Sequence, residues 1–134
     1  MLYLIGLGLN DENDISLRSL DTIKRCNHVY LEGYTSKIKL DIAKLDKLVG
    51  KTIKIASREM LENKMNLFVK QAENNDIALL VLGDPLVATT HLALLLEAKK
   101  LGIKTRVIHN ASVINAVADT GLSLYNFGKI ASIP

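Results

Sequence analysis

The sequence predicts an α/β protein, a mostly parallel five-stranded sheet with helices on both faces. Three observations carry this reading. Short apolar runs alternate with longer stretches of helical period, the pattern of strands joined by crossover helices. Ile77 to Leu82 is wholly apolar, as a central parallel strand covered on both faces requires. The 134 residues suffice for one domain that buries roughly two-thirds of its unfolded surface, and 49% hydrophobic against 23% charged residues excludes disorder.

Taken in order, Leu2 to Leu7 is the first strand, ending in Gly6-Leu7-Gly8-Leu9. Ile15 to Cys26 has apolar residues at 15, 17, 20 and 23, a helical spacing, with Ser16 or Asp14 available as its cap. His28 to Glu32 is the second strand and Tyr34 to Lys39 a polar loop. Ile42, Leu45 and Leu48 mark a short helix before Gly50, and Thr52 to Ala56 is the third strand. Met60 to Glu73 is apolar on one side at helical spacing and stops at Asn74-Asn75. The fourth strand, Ile77 to Leu82, is broken by Gly83-Asp84-Pro85. Ala88 to Lys100 then forms a helix closed by Gly102, Ile103 to Ile108 is the fifth strand, and a helix runs from about Ser112 to Ala118. Leu122 to Tyr125 and Lys129 to Ile133 read as extended, with no terminal helix.

The charge balance excludes several functions. Seventeen Lys and Arg against 14 Asp and Glu leave +3, and the basic residues are scattered, which predicts neither a nucleic-acid arm nor a polybasic membrane patch. Aromatics are 4% with no Trp, too few for stacking on bases. No run reaches the roughly 18 apolar residues of a membrane span. Met1 to Gly6 lacks a basic leader and reads as a strand rather than a secretory signal. The single cysteine, Cys26, makes neither an internal disulfide nor a metal cluster. It reads as inert packing and fits a cytoplasmic location.

In an open α/β sheet the ligand crevice lies outside the carboxyl ends of the strands, and three such ends stand out. At Gly6-Leu7-Gly8-Leu9 two glycines permit a tight turn and a close backbone approach. The third glycine of the dinucleotide fingerprint is missing, and Asp11, Glu12 and Asp14 follow at once. They repel a pyrophosphate, which argues against NAD or ATP; a plain strand-to-loop turn is the alternative. Gly83-Asp84-Pro85-Leu86-Val87-Ala88-Thr89-Thr90-His91 sets an acid, a rigid proline and hydroxyls at the mouth of the sheet. That suits a ligand with a positive charge, or else a turn with Thr89 or Thr90 capping the next helix and His91 on the helix surface or in the core. At His109-Asn110-Ala111-Ser112-Val113, Asn110 or Ser112 serves a ligand or caps a helix, and His109 has no second metal ligand at useful spacing. No metal site, nucleophile or general base follows from spacing alone.

In combination these segments are more specific. Gly6-Leu7-Gly8-Leu9, Leu31-Glu32-Gly33-Tyr34-Thr35-Ser36, Arg58-Glu59-Met60, Gly83 to His91, His109 to Val113 and Tyr125-Asn126-Phe127-Gly128-Lys129 together resemble the diphthine synthase family, within the tetrapyrrole methylase class. The resemblance runs from Met1 to Pro134. Gly-Asp-Pro is shared across the class, whereas Ala88-Thr89-Thr90-His91 with His109-Asn110-Ala111-Ser112 is much narrower. The wider class usually carries Pro-Gly where this chain has Leu9-Asn10, which draws it toward the diphthine synthases; Gly33 stands where that family often has alanine.

The resemblance implies the N-terminal domain of a class III methyltransferase that uses S-adenosyl-L-methionine. The implied acceptor is the amino group of the 3-carboxy-3-aminopropyl histidine of translation elongation factor 2, in diphthamide biosynthesis. The residues matching family cofactor contacts are Leu9, Asp84, Val87, Ser112 and Val113. The resemblance further implies a cytoplasmic homodimer and a second α/β domain that this chain does not span. Two other readings stay open: a methylase of the same class acting on a corrinoid or on ribosomal RNA, and a non-catalytic domain that binds a ligand or a partner.

Overall fold

A computed structural model of the protein describes residues 1–34, 40–126 and 128–131. Strands β1 (Leu2–Gly6), β2 (His28–Glu32), β3 (Lys54–Ala56), β4 (Ile77–Val81) and β5 (Thr105–Ile108) form one sheet in the order β3-β2-β4-β1-β5. All four pairings are parallel, as the sequence predicts. β4 is buried at all five residues, and its side chains divide between two cores because they alternate across the sheet. Ile77, Leu79 and Val81 join Phe68 and Val69 of α3 (Met65–Lys70) and Leu94 and Ala98 of α4 (Leu92–Lys100). On the opposite face Ala78 and Leu80 meet Ile23 of α1 (Leu17–Arg25) and Leu45 and Val49 of α2 (Ile42–Val49). Each fully buried leucine or isoleucine contributes roughly 1.5–3 kcal/mol.

This layering sets the position of the crevice. β1 leads into α1 on one face, whereas its neighbour β4 leads into α4 on the other, the kind of divergence at adjacent carboxyl ends beside which ligands bind in such sheets.

Local chemistry explains most element boundaries. Ser16 caps α1, its Oγ accepting the Ser19 N–H at 3.1 Å, while Asp14 belongs to the preceding turn. Asp41 caps α2 through the Lys44 N–H, and Gly50 ends it in the left-handed region at φ 69°. The regular part of β3 begins at Lys54 rather than Thr52, and that of β5 at Thr105 rather than Ile103. The predicted helix over 60–73 is three pieces: a π-type turn at Glu59–Asn63, then α3, then a 3-10 turn at Gln71–Glu73. The break lies at Lys64 (φ −110°, ψ 27°), whose N–H reaches five residues back to the Glu59 carbonyl.

Two expectations need correction. The helix predicted from Ala88 begins at Leu92, because Ala88 has φ 55° and a left-handed residue cannot continue a right-handed helix backwards. Leu122 to Tyr125 is not extended: Leu124–Asn126 form a 3-10 turn, with the Asn126 N–H on the Ser123 carbonyl. The predicted helix over 112–118 is α5 (Val113–Ala116) followed by a 3-10 turn at Val117–Thr120. Residues 35–39 of the predicted loop, and residues 132–133 of the predicted final extended segment, lie outside the described residues.

Cys26 is buried. Its Sγ donates to the Thr22 carbonyl, and burial pushes the thiol up to about 11; a protonated thiol there is unreactive. Among the described residues, no helix is long and apolar enough to cross a membrane, and no group of three His, Cys, Asp or Glu could hold a metal ion.

Candidate functional site

The three strand ends form one structure. Beyond β1 and β4, Gly8 and Gly83 exchange backbone hydrogen bonds: the Gly83 N–H donates to the Gly8 carbonyl at 2.7 Å and the Gly8 N–H to the Gly83 carbonyl at 3.3 Å. Gly6 has no room for a side chain. A Cβ there would lie 2.6 Å from the Gly83 carbonyl oxygen and 2.9 Å from the Asn110 Cβ. The end of β5 is tied in by Asn110, whose Nδ2 donates to the Gly6 carbonyl at 3.1 Å and the Asp14 carbonyl at 3.0 Å.

The first turn carries its own anion. Asp14 Oδ2 accepts from the Leu9 N–H at 3.0 Å, the Asn10 N–H at 2.9 Å and the Asn10 side-chain amide at 3.1 Å. The two backbone donors hold its carboxyl below the usual carboxylate range. A phosphate placed here would have to displace Asp14 from the very N–H groups a nucleotide-binding loop offers.

Asp84 is the centre of the second turn, with its side chain only 5% exposed. Its Oδ1 accepts from the Leu86 N–H at 2.9 Å, which closes the Gly-Asp-Pro turn. Its Oδ2 accepts from the Asn110 N–H at 3.3 Å and lies 2.7 Å from His109 Nδ1. One carboxylate therefore both shapes its own loop and fastens it to the loop after β5.

Of the other site residues expected from sequence, Leu9 is half-buried beside this junction. A Cβ built on Gly83 would fall 4.0 Å from Leu9 Cδ2 and 3.8 Å from the Ala111 carbonyl oxygen. Val87 is half-buried on the Asp84 loop, its N–H on the Asp84 carbonyl. Ser112 is buried; its hydroxyl and its N–H both reach Asn115 Oδ1, at 2.9 and 3.3 Å, and so start α5. Val113 beside it is 60% exposed. Leu9, the Asp84–Val87 loop and the Ser112–Val113 loop thus converge outside β1, β4 and β5.

The Asp84–His109 pair is the feature that sequence spacing does not reveal, because 25 residues separate its members. The assembled sheet brings them together. Asp84 lies three residues beyond β4 and His109 one beyond β5, and both strands pair with β1 in register.

His91 is 2% exposed, which decides between its two readings, helix surface or core, in favour of the core. Neither ring nitrogen has a hydrogen-bond partner of good geometry. Burial pushes its pKa below the ordinary histidine value, against the opposing effects of Glu32, the Pro85 carbonyl and Glu62. Neither Thr89 nor Thr90, the alternative caps, caps α4 with its side chain. The Thr89 hydroxyl donates to the Pro85 carbonyl at 2.8 Å and meets the His91 N–H only at 3.5 Å, while Thr90 contributes its carbonyl to the Ala93 N–H.

A second polar patch lies around the end of β2. Glu32 accepts from the Tyr34 N–H at 2.8 Å, and the Arg58 guanidinium stands 5.1 Å over the Tyr34 ring. Burial, reinforced by Glu62 and Glu32, pushes the Tyr34 phenol up to about 12.

The sequence profile of the tetrapyrrole (corrin/porphyrin) methylases matches residues 1–133. The chain is 50% identical to a curated diphthine methyl ester synthase of Schizosaccharomyces pombe, over 99% of this chain and 47% of that protein. It is also 50% identical to the protein of that name from Homo sapiens, with the same two coverages. A crystal structure of diphthine synthase superimposes with a TM-score of 0.90 at 42% identity, covering 96% of this chain and 52% of that one. The chain thus spans about half the length of the curated relatives it matches.

Proposed function

Because the chain belongs to the tetrapyrrole (corrin/porphyrin) methylase family, we propose that residues 1–134 are the α/β cofactor-binding domain of a diphthine synthase. In this reading the protein transfers methyl groups from S-adenosyl-L-methionine to the 3-carboxy-3-aminopropyl histidine of translation elongation factor 2, in the cytoplasm and as a homodimer. The amine is one acceptor. The curated relatives are named for a methyl ester, which adds the carboxylate of the same arm as a second.

The observation that carries the reading is the junction of three strand ends around the buried Asp84. Its donors and charges suit a cation and disfavour a phosphate. Asp14 already occupies the Leu9 and Asn10 N–H groups, and Asp84 adds a buried negative charge at the mouth. A sulfonium with an ammonium beside it matches that field, and the half-buried Leu9 and Val87 with the exposed Val113 supply apolar walls for an adenosine. Leu9, Asp84, Val87, Ser112 and Val113 are accordingly the proposed cofactor contacts. The cofactor brings a methyl group already activated by its sulfonium charge. The chain's task is then alignment, and well-oriented reactants gain effective molarities of about 10⁵ M or more.

Calorimetric titration of S-adenosyl-L-methionine into the protein and into Asp84→Asn tests this. An asparagine that keeps the Leu86 N–H contact through its one oxygen loses the charge and sets an amide nitrogen against the Asn110 N–H. The expected loss of binding is about 1–3 kcal/mol. Measurable binding with equal affinities would take Asp84 out of the site.

A further inference from the structure

The site needs a group to accept a proton if its acceptor is an amine, because an ammonium has no lone pair. Resting on the methyltransferase reading, we infer that His109 is that base, with Nε2 as the accepting atom and Asp84 as its positioning residue. The geometry is specific about which nitrogen is free. Both oxygens of Asp84 accept backbone N–H groups, Oδ1 from Leu86 and Oδ2 from Asn110. An oxygen that already accepts in this way serves His109 Nδ1, at 2.7 Å, as an acceptor also. The proton of the neutral imidazole is thereby held on Nδ1, and the lone pair is left on Nε2.

Burial and exposure are divided to match. The Asp84 side chain is 5% exposed and fixed by three partners, whereas the His109 side chain is 66% exposed. A rigid carboxylate therefore orients a ring whose far nitrogen can meet an incoming side chain, the arrangement by which a base is held in one tautomer. His109 also lies between proposed cofactor contacts, with Asp84 against its ring and Ser112 three residues on. The rival histidine, His91, is 2% exposed and has no comparable opening. In the step itself an N–H bond of the acceptor ammonium breaks, its electron pair stays on nitrogen, and the proton passes to Nε2. The resulting imidazolium, held by Asp84, returns that proton to solvent through its exposed edge.

Two measurements test this, one independent of turnover. Nitrogen-detected NMR of the ring in the protein at mildly alkaline pH should show His109 protonated at Nδ1 and bare at Nε2; the opposite tautomer overturns the inference. In methyl transfer to elongation factor 2 carrying the unmethylated histidine arm, His109→Asn retains an amide donor for Asp84 but has no base. Its kcat for amine methylation should fall at least about 100-fold, with the affinity for S-adenosyl-L-methionine unchanged by calorimetry. His109→Ala should regain part of the lost rate when imidazole is added. Transfer by His109→Asn at the unaltered rate overturns the base while leaving the methyltransferase reading in place. Failure of the unaltered protein to bind S-adenosyl-L-methionine in the same calorimetry overturns both.

Discussion

At Gly6 the Gly83 carbonyl and the Asn110 side chain stand where a methyl group would go, so the junction of strand ends depends on one missing carbon. Gly6→Ala should lower stability by about 1–3 kcal/mol, the range for overpacking against atoms that cannot move aside, and a urea midpoint indistinguishable from the original would show that the junction yields. His91 gives a second residue-scale test, with a sign fixed by burial. In the unfolded chain a histidine titrates near about 6.5, and burial lowers the folded value. Between the two values only the unfolded state holds the proton, so stability is full above about pH 6.5 and is lost as pH falls toward the folded value. Glu32 and Glu62 oppose this without reversing it. The unaltered protein should lose more stability than His91→Leu when urea titrations at mildly acidic and neutral pH are compared; equal losses would show that His91 is not what acid attacks. The glycines of the first turn and the acid of the second were legible in the sequence because each acts within a few residues. Their use was less so. Asp14, a candidate helix cap by position, spends its carboxylate on the Leu9 and Asn10 N–H groups, since Ser16 stands at the start of α1.

Elements were readable where periodicity and punctuation agree. Ile77 to Leu82 could only be a central strand, and Gly50 ends α2 where a left-handed residue is needed. The misplaced start of α4 has a different cause. Val87-Ala88-Thr89-Thr90-His91 contains no glycine or proline, yet Ala88 sits at φ 55°. Nothing local asks for that conformation. It comes from closing the loop, with the Leu86 N–H on Asp84 and the Thr89 hydroxyl on the Pro85 carbonyl. A left-handed alanine costs about 1–2 kcal/mol, partly offset for glycine by its greater unfolded-state entropy. Ala88→Gly should therefore raise stability by about 0.5–1 kcal/mol, whereas Ala88→Val, branched at Cβ, should lower it. Urea unfolding of both variants checks this, and a destabilised Ala88→Gly would mean that the methyl group contributes packing that outweighs the strain.

At the scale of the whole molecule, the order β3-β2-β4-β1-β5 accounts for what the sequence could not disclose. Asp84 and His109 face each other only because β4 and β5 flank the same strand, and strand order is a property of the assembled sheet. The same assembly leaves apolar side chains in solvent. Leu92 and Leu96, one helical turn apart on α4, are 57% and 54% exposed, and Leu122, Tyr125 and Ile130 near the end of the chain are 53%, 100% and 54% exposed. Residues spaced by four share a helix face, so the α4 pair forms a ridge rather than two scattered contacts. A stable pairing of copies needs roughly 800 Å² from each partner, more than two leucines supply, so an interface on this ridge would need further apolar surface, of which the late segment offers some. The protein is expected to run above its monomer mass in light scattering at micromolar concentration. Leu92→Gln with Leu96→Gln should return it to monomer without changing its unfolding free energy in urea by more than about 0.5 kcal/mol, because exposed positions contribute little to folding. A monomeric unaltered protein would show that this ridge does not hold two copies together, and persistent association of the double variant would move the contact to Leu122, Tyr125 and Ile130 alone.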